Sequence, residues 1–583
     1  MDTRRLMLLS VFLLSLFMLW EEWHNPKSRN APDAAAPAVA VSAESANGLP
    51  AVASQTADDV FIPRATGNLR GTETRQQQAD ELASDVSEEP EAESLFISTD
   101  LVSAEISTRG GALVGLTLKR YQKDSGSQEP FTLLSGAHAY LAQSGLIGVE
   151  GVALPNHKTL LRALPGAREL ADGADTLEIR LAAPEADGIR ATKVYTFHRG
   201  SYLIDVSWEI ENGRDTTLTP DAYFQLQRDG ANPDGESFFL VTFTGAAVYT
   251  EAGKYQKASY ADIAKGEAKF VKQSGDGWLA MVQHYFVTAW APQGDTLREF
   301  FMRKLDRKTK DGQDLFAAGV ILPVDSIAPG QTGRISVPLF AGPQEQSALQ
   351  TVAPGLDLVV DYGWLHIIAA PIFWVLEFIN NLMGNWGWSI VALTVLIKLI
   401  FYPLSAASYR SMAKMRVLTP RLMQLKERYA DDKVKMNQEM MKLYQTEKVN
   451  PLGGCLPILV QIPVFIALYW VLLGAVEMRG APWILWIHDL SVPDPYFVLP
   501  VIMMVSMFVQ IRLNPTPPDP MQARMMLIMP LVFGVMFFFF PAGLVLYWVV
   551  NNILSIAQQW QINRALDPDN KAKQIQAAND KTI

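Results

Sequence analysis

The chain has 583 residues, of which 49% are apolar, and its formal net charge is −10. Its mean hydropathy of +0.08 is too high for an ordinary soluble protein of this length. The acidic balance argues against nucleic acid as a partner of the whole chain, and a single cysteine, Cys455, excludes an intrachain disulfide. The sequence has no Walker A loop, GxGxxG, GxSxG, HExxH or CxxC, and its seven His show no metal-ligand spacing. Those absences argue against an enzyme and against a metal or cofactor.

Residues 1–24 carry Arg4 and Arg5 ahead of LMLLSVFLLSLFMLW. The apolar run ends in Glu21-Glu22-Trp23, and the first Ala-Val-Ala lies too far downstream for cleavage. An uncleaved anchor with a cytoplasmic N-terminus is expected. Residues 25–95 hold 5 Lys/Arg against 12 Asp/Glu with few aromatics. That composition reads as a disordered, solvated tether.

From 96 to 341 the pattern changes. Tyr202, Ile204, Val206, Trp208 and Ile210 alternate with more polar residues, as do Leu177, Ile179 and Leu181. Such alternation predicts half-buried strands. Arg109-Gly110-Gly111, Asp172-Gly173, Asn212-Gly213, Asp276-Gly277 and Asp311-Gly312 mark turns. Together they predict a large antiparallel β sandwich, followed by a connector over 342–363.

Residues 364–383 are long and apolar enough to tempt a membrane reading, yet include Pro371, Glu377, Asn380 and Asn381. If they crossed, the segment 410–448, with 10 Lys/Arg against 5 Asp/Glu, would lie outside. Basic segments favour the cytoplasm, so 364–383 is expected to lie flat in the outer interface. Residues 386–409 then read as a spanning helix about 36 Å long, with Lys398 near mid-depth. Thr394, Lys398 and Tyr402 share one face at i, i+4 spacing. A cation there costs about 2.5–3.5 kcal/mol, so it is expected to face water or a partner, snorkelling to an interface being the alternative.

In 410–448, Met412, Met415, Leu422, Leu425, Met436 and Met440 recur at helical spacing, with Asp431-Asp432 at a turn. A helical hairpin is expected. Its charge could dock an anionic partner such as ribosomal RNA or lipid headgroups, or merely keep a solvated face. Four further spans are expected within 455–561, followed by a basic cytoplasmic tail over 562–583. With the anchor and 386–409 these make six crossings.

The anchor, tether, β domain and mid-membrane cation come in a recognisable order. With SMAKMRVLTPRL, EKVNPLGGCLPILVQIPVF, IHDLSVPDPYFVLP and FPAGLVLYWVVNNILSIAQQ, the chain closely resembles the YidC family of bacterial membrane protein insertases. The resemblance implies a helical core around a hydrophilic groove, closed toward the outside. Lys398 falls where many relatives carry arginine, with Thr394, Gln461, Trp548 and Asn551 as candidate groove residues. It also implies a docking hairpin, on which Arg410, Lys414, Arg416, Asp431, Lys433 and Lys435 fall. Implied partners are nascent membrane proteins, the Sec translocon, the ribosome with the signal recognition particle pathway, and membrane lipids. The β domain resembles a supersandwich of the sugar-mutarotase type, a likeness of fold that carries no catalysis. Two other classes fit part of the pattern. An ion-coupled transporter would show inverted repeats and more ionisable groups at mid-depth, and an anchored sugar-binding protein would place function in the β domain.

Overall fold

The computed structural model describes residues 63, 92–124, 126–233, 242–429, 432–447, 456–514 and 520–566. The expected anchor 1–24 and most of the tether 25–95 lie outside the described residues, as do residues 567–583 of the tail.

Strands begin at Ser94 and end at Pro343, forming two nine-stranded antiparallel sheets. One runs from Ser94–Ser98 through Asp221–Asp229 and Asp314–Pro323 to Gln273–Ser274. The other runs from Lys254–Ser259 through Phe286–Trp290 and Leu203–Asn212 to Arg162–Ala163. The expected alternation is realised: Leu177, Ile179 and Leu181 face the core, as do Ile204, Val206, Trp208 and Ile210. Of the marked turns, Gly110, Gly111, Gly173, Gly277 and Gly312 take positive φ. At Gly110 a Cβ would also sit 2.3 Å from the His157 backbone, so only glycine closes that turn.

Three strands of the second sheet, Gly245–Thr250, Trp278–Gln283 and Phe286–Trp290, are buried at every residue. One of their faces joins the sandwich interior through Ala246, Val248, Leu279 and Met281. The other, through Ala247, Ala280, Val287 and Ala289, shares a core with Tyr362, Leu365, Phe373 and Val471 from the helical part. Burial on both faces explains why these strands read as plain apolar runs. Arg479 reinforces the join: it donates to Gln122 O at 2.7 Å and Lys123 O at 2.8 Å, stacked near Phe131, Tyr285 and Phe286. His284 Nε2 lies 3.1 Å from Leu473 O.

The helix His366–Met383 buries Ala369, Phe373 and Leu376 while exposing Ile367, Trp374, Phe378 and Leu382. It is apolar on both faces, and its 18 residues satisfy the length and hydropathy of a crossing helix. Its Gly384 cap takes φ +66° and donates to Asn380 O.

The spanning helix expected over 386–409 is corrected by the structure. It is a 15-residue helix, Trp386–Ile400, which breaks at Phe401 and turns by 67° into the first half, Tyr402–Met415, of the helix Tyr402–Arg428. Pro403 is the cause: it has no N–H to continue the ladder, but suits the first turn of a new helix. The straight part is therefore about 22 Å long. Lys398 sits in its last turn, and Tyr402 belongs to the next helix, so the stripe expected along one rod does not form.

Tyr402–Arg428 and Lys433–Thr446 make the hairpin, whose first arm begins eight residues before 410. Asp432 caps the second arm by accepting from Lys435 N at 3.0 Å, and Arg421 pairs with Glu447 across the arms at 2.7 Å. The remaining helices are Leu456–Gly474, Val498–Leu513, Pro520–Phe537 and the closing helix Ala542–Leu566. The closing helix packs against Val498–Leu513, Trp386–Ile400 and Tyr402–Arg428.

Candidate functional site

The closing helix has two unlike halves. Its first turns, AGLVLYWVV, are apolar, and Leu544, Val545, Leu546 and Val549 are buried. There Trp548 packs edge-on against Phe465 at 4.6 Å and Phe537 at 4.5 Å. Its indole Nε1 has no hydrogen-bond partner among the described residues. From Asn551 onward, polar side chains recur along the helix, and three of them find defined partners on neighbouring segments. Asn552 donates to Ser506 Oγ at 2.7 Å, and Gln559 to Asn514 Oδ1 at 2.9 Å and Leu513 O at 3.3 Å. Gln558 donates to Tyr402 O at 3.3 Å, just past the helix break.

Lys398 meets this polar half. Its ammonium donates to Ser555 Oγ at 2.7 Å, its one hydrogen bond among the described residues. The Ser555 hydroxyl gives its own proton to Asn551 O at 2.7 Å, so its lone pairs are turned to the lysine. Lys398 also lies in the last turn of its own helix, where the backbone dipole favours a cation. No carboxylate pairs with it within 4.0 Å among the described residues. A partly buried ammonium has three donors; with one of them committed, the other two can serve water or an incoming anion.

The other expected groove residues are dispersed around this point. Thr394 is 1% exposed and donates to Ile390 O at 2.6 Å, so its hydroxyl is satisfied within its own helix. Gln461 is half-buried on Leu456–Gly474, and Asn551 is half-buried one turn before Ser555. Trp548 belongs to the aromatic cluster above the polar half. Ser555 escaped the sequence reading, although Asn551, Ser555 and Gln559 stand at i, i+4, i+8 on one helix.

On the hairpin, Arg410, Lys414 and Lys435 are exposed, Lys435 lying 5.8 Å from the Tyr429 ring. Arg416 and Lys433 lie within the two arms; Asp431 lies outside the described residues. Among the described residues no group of three or more His, Cys, Asp or Glu could hold a metal.

A family model for the YidC periplasmic domain matches residues 94–375, and one for the 60Kd inner membrane protein matches 378–570. The membrane protein insertase YidC of Dechloromonas aromatica is 58% identical over 98% of this chain and 99% of its own. That of Aromatoleum aromaticum is 55% identical over the same shares. A crystal structure titled as an active YidC insertase with its first transmembrane domain resolved covers 80% of this chain and 91% of its own, at 18% identity and a TM-score of 0.37. Matched along nearly its whole length at more than half identity, the chain belongs to the YidC family of membrane proteins.

Proposed function

We propose that this protein is a membrane protein insertase in which Lys398 and the polar half of the closing helix form a wet groove for the polar part of a nascent membrane protein. The observation that carries this reading is the Lys398–Ser555 bond, an ammonium held inside a helical bundle by one neutral acceptor. A polar or acidic segment must cross hydrocarbon to reach the far side, and bare lipid makes that costly. A cation partway across lowers the barrier, while the client's apolar helix partitions sideways into lipid. Apolar transfer supplies the driving force. Gln461, Asn551 and Ser555 flank the path, Thr394 backs it, and the Trp548–Phe465–Phe537 cluster closes its outer end.

In this reading six helices cross the inner membrane, counting the anchor 1–24, and both termini are cytoplasmic. The β domain is periplasmic, and His366–Met383 lies flat in the outer interface. The hairpin docks clients arriving from the ribosome and signal recognition particle pathway, through Arg410, Lys414, Arg416, Asp431, Lys433 and Lys435. The Sec translocon works alongside for some clients. No catalytic step is involved.

Two measurements test this. A photo-crosslinker at Gln461 should capture a stalled nascent membrane protein, and failure there, with capture only from lipid-facing Val505, would remove the groove. In a background with Cys455 replaced, Lys310→Cys should react with an impermeant thiol reagent in intact cells, whereas Lys435→Cys should wait until the membrane is opened. Labelling of position 435 in intact cells would make His366–Met383 a true crossing.

A further inference from the structure

The motif IHDLSVPDPYFVLP runs from the loop 475–497, whose neighbours place it beside the β domain, into the helix Val498–Leu513. Arg479 is bound there, as described above, and Leu490 O accepts from Gly543 N at 2.9 Å at the start of the closing helix. Within the loop, Leu490 N donates to Ala481 O at 3.1 Å, and Trp483 N to Ile487 O at 2.9 Å, closing a small ring of chain. Its base is bolted to the cation-bearing helix: Asn385 Nδ2 donates to Pro482 O at 3.0 Å, and Trp483 packs 5.7 Å from Trp388. Trp483 also fills the space over Gly387, where a Cβ would come within 2.3 Å of it.

The tip of this ring is exposed. Leu485 is 75% exposed and takes φ +55°, a left-handed conformation that a leucine adopts at a cost of about 1 kcal/mol or more. Ile484 beside it is 37% exposed. A second apolar point stands nearby in sequence: Tyr496 is 69% exposed, and Phe497, at φ +56°, is 43% exposed. Asp494 fixes this second point by accepting from Trp486 Nε1 at 2.9 Å, Tyr496 N at 3.0 Å and Leu499 N at 2.8 Å. From Ala481 to His488 the chain carries no Asp, Glu, Lys or Arg. The exposed apolar surface continues directly into Val498–Leu513, where Val501, Ile502 and Val505 are 41–57% exposed.

A rigid, uncharged loop that spends backbone strain to present leucine and aromatic residues is costly in water, where leaving a leucine unburied forgoes about 1.5–3 kcal/mol. We propose that Ile484, Leu485, Tyr496 and Phe497 form a wedge sunk among the acyl chains of the outer leaflet. Continuity with the apolar flank of Val498–Leu513 identifies lipid as the occupant, in place of a second copy or a soluble partner. Because Trp483 locks the loop to Gly387, the wedge fixes the depth of the helix that carries Lys398, eleven residues and about 17 Å further along. The inference rests on the reading that these helices span the bilayer with the β domain outside.

The test uses the full chain in proteoliposomes with Cys455 replaced and an environment-sensitive fluorophore at one introduced thiol. A probe at Leu485→Cys should be quenched at least about threefold more by nitroxide lipids labelled near the headgroup than one at exposed Lys310→Cys, and shielded from aqueous iodide. Iodide access equal to that at Lys310 would overturn the wedge. So would shielding that disappears when the protein is diluted in lipid, which would mark a second copy. A probe at Val505→Cys separates this from the spanning reading: lipid quenching at 505 but not at 485 removes only the wedge, and absence at both removes the spans. With a probe at Leu399→Cys, the added change Leu485→Asp should shift the ratio of shallow to deep quenching. An unchanged ratio would contradict the depth-setting role.

Discussion

Among the described residues, two lysines lie in protein interiors without a carboxylate partner, and their surroundings differ. Lys193, inside the β sandwich, is 0% exposed. It donates to Gly110 O at 3.1 Å and Gly111 O at 2.9 Å, with the rings of Tyr195 and Trp208 at 5.3 and 5.5 Å. Burial pulls its pKa down to about 7. Every side of it is occupied, and it staples a glycine turn to the sheet. Lys398 is partly buried, has one neutral acceptor, and keeps donors to spare. A buried cation is therefore not a site in itself. The distinction lies in whether its donors are consumed by the fold.

The largest effect expected from that contrast is on stability. Lys193→Glu would place a carboxylate against two carbonyl oxygens in a sealed core and should cost more than about 4 kcal/mol, unfolding the β domain. Lys398→Glu should leave the fold intact if, as proposed, the groove admits water. Protease resistance of the full chain in membranes compares the two; equal sensitivity would dissolve the distinction.

The second prediction concerns the joint between the two regions. Glu477 is half-buried there, and its buried Oε2 has no partner among the described residues. Burial, with Glu345 and Glu377 nearby, pushes its pKa up to about 8. Raised above the ordinary value of 4.5, the group stabilises the fold fully below pH 4.5, and that contribution is lost as pH rises through 8. His284, held down to about 4 by burial, acts only between there and 6.5. Between pH 6.5 and 8 the contribution of Glu477 should therefore fall by about 1–2 kcal/mol, while Lys193, whose pKa of about 7 in the fold lies below its ordinary 10.5, adds a gain of similar size over the same range. Glu477→Gln should remove the fall and leave stability rising from pH 6.5 to 8, as followed by thermal unfolding of variant and wild type at the two pH values; the same pH response in both would contradict the role of Glu477.

Smaller effects follow at the groove and the hairpin. Ser555→Ala removes the acceptor that positions Lys398, a net hydrogen bond of about 1 kcal/mol, and should slow insertion of acidic clients about two- to fivefold. Reversing Arg410, Lys414 and Lys435 to Glu should weaken client or ribosome association a few-fold at low salt, with the difference fading at high salt. Unchanged association across the salt series would leave the hairpin only a solvated face.

What could be read in advance followed periodicity. The strands Thr176–Ala182 and Leu203–Asn212 announce themselves because one face is buried and one is not. Lys193 was equally legible, standing between Ala191, Tyr195 and Phe197 on an inward face, but its charge drew it out of the pattern. The helix break at Phe401 was signalled by Pro403 and hidden by the apolar run that continues to Tyr402. Moving the break moves Lys398 from the middle of a rod to its C-terminal end, where the helix dipole helps hold it. Ser555 shares the four-residue spacing of Asn551 and Gln559 but is easily passed over, since a hydroxyl in a helix commonly bonds only its own backbone, as Thr394 does.

The central claim is that Lys398 acts as a charge in a wet groove. At an effective dielectric of about 20, an opposite charge roughly 10 Å away gains about 1.7 kcal/mol, or somewhat more than tenfold in rate. The direct measurement is insertion of two matched clients, one with an acidic and one with an uncharged translocated segment, by wild type, Lys398→Arg and Lys398→Ala at equal protein level. Arginine should preserve both clients, whereas alanine should slow the acidic client about tenfold and spare the neutral one. Equal insertion of the acidic client by Lys398→Ala and wild type would contradict the electrostatic role.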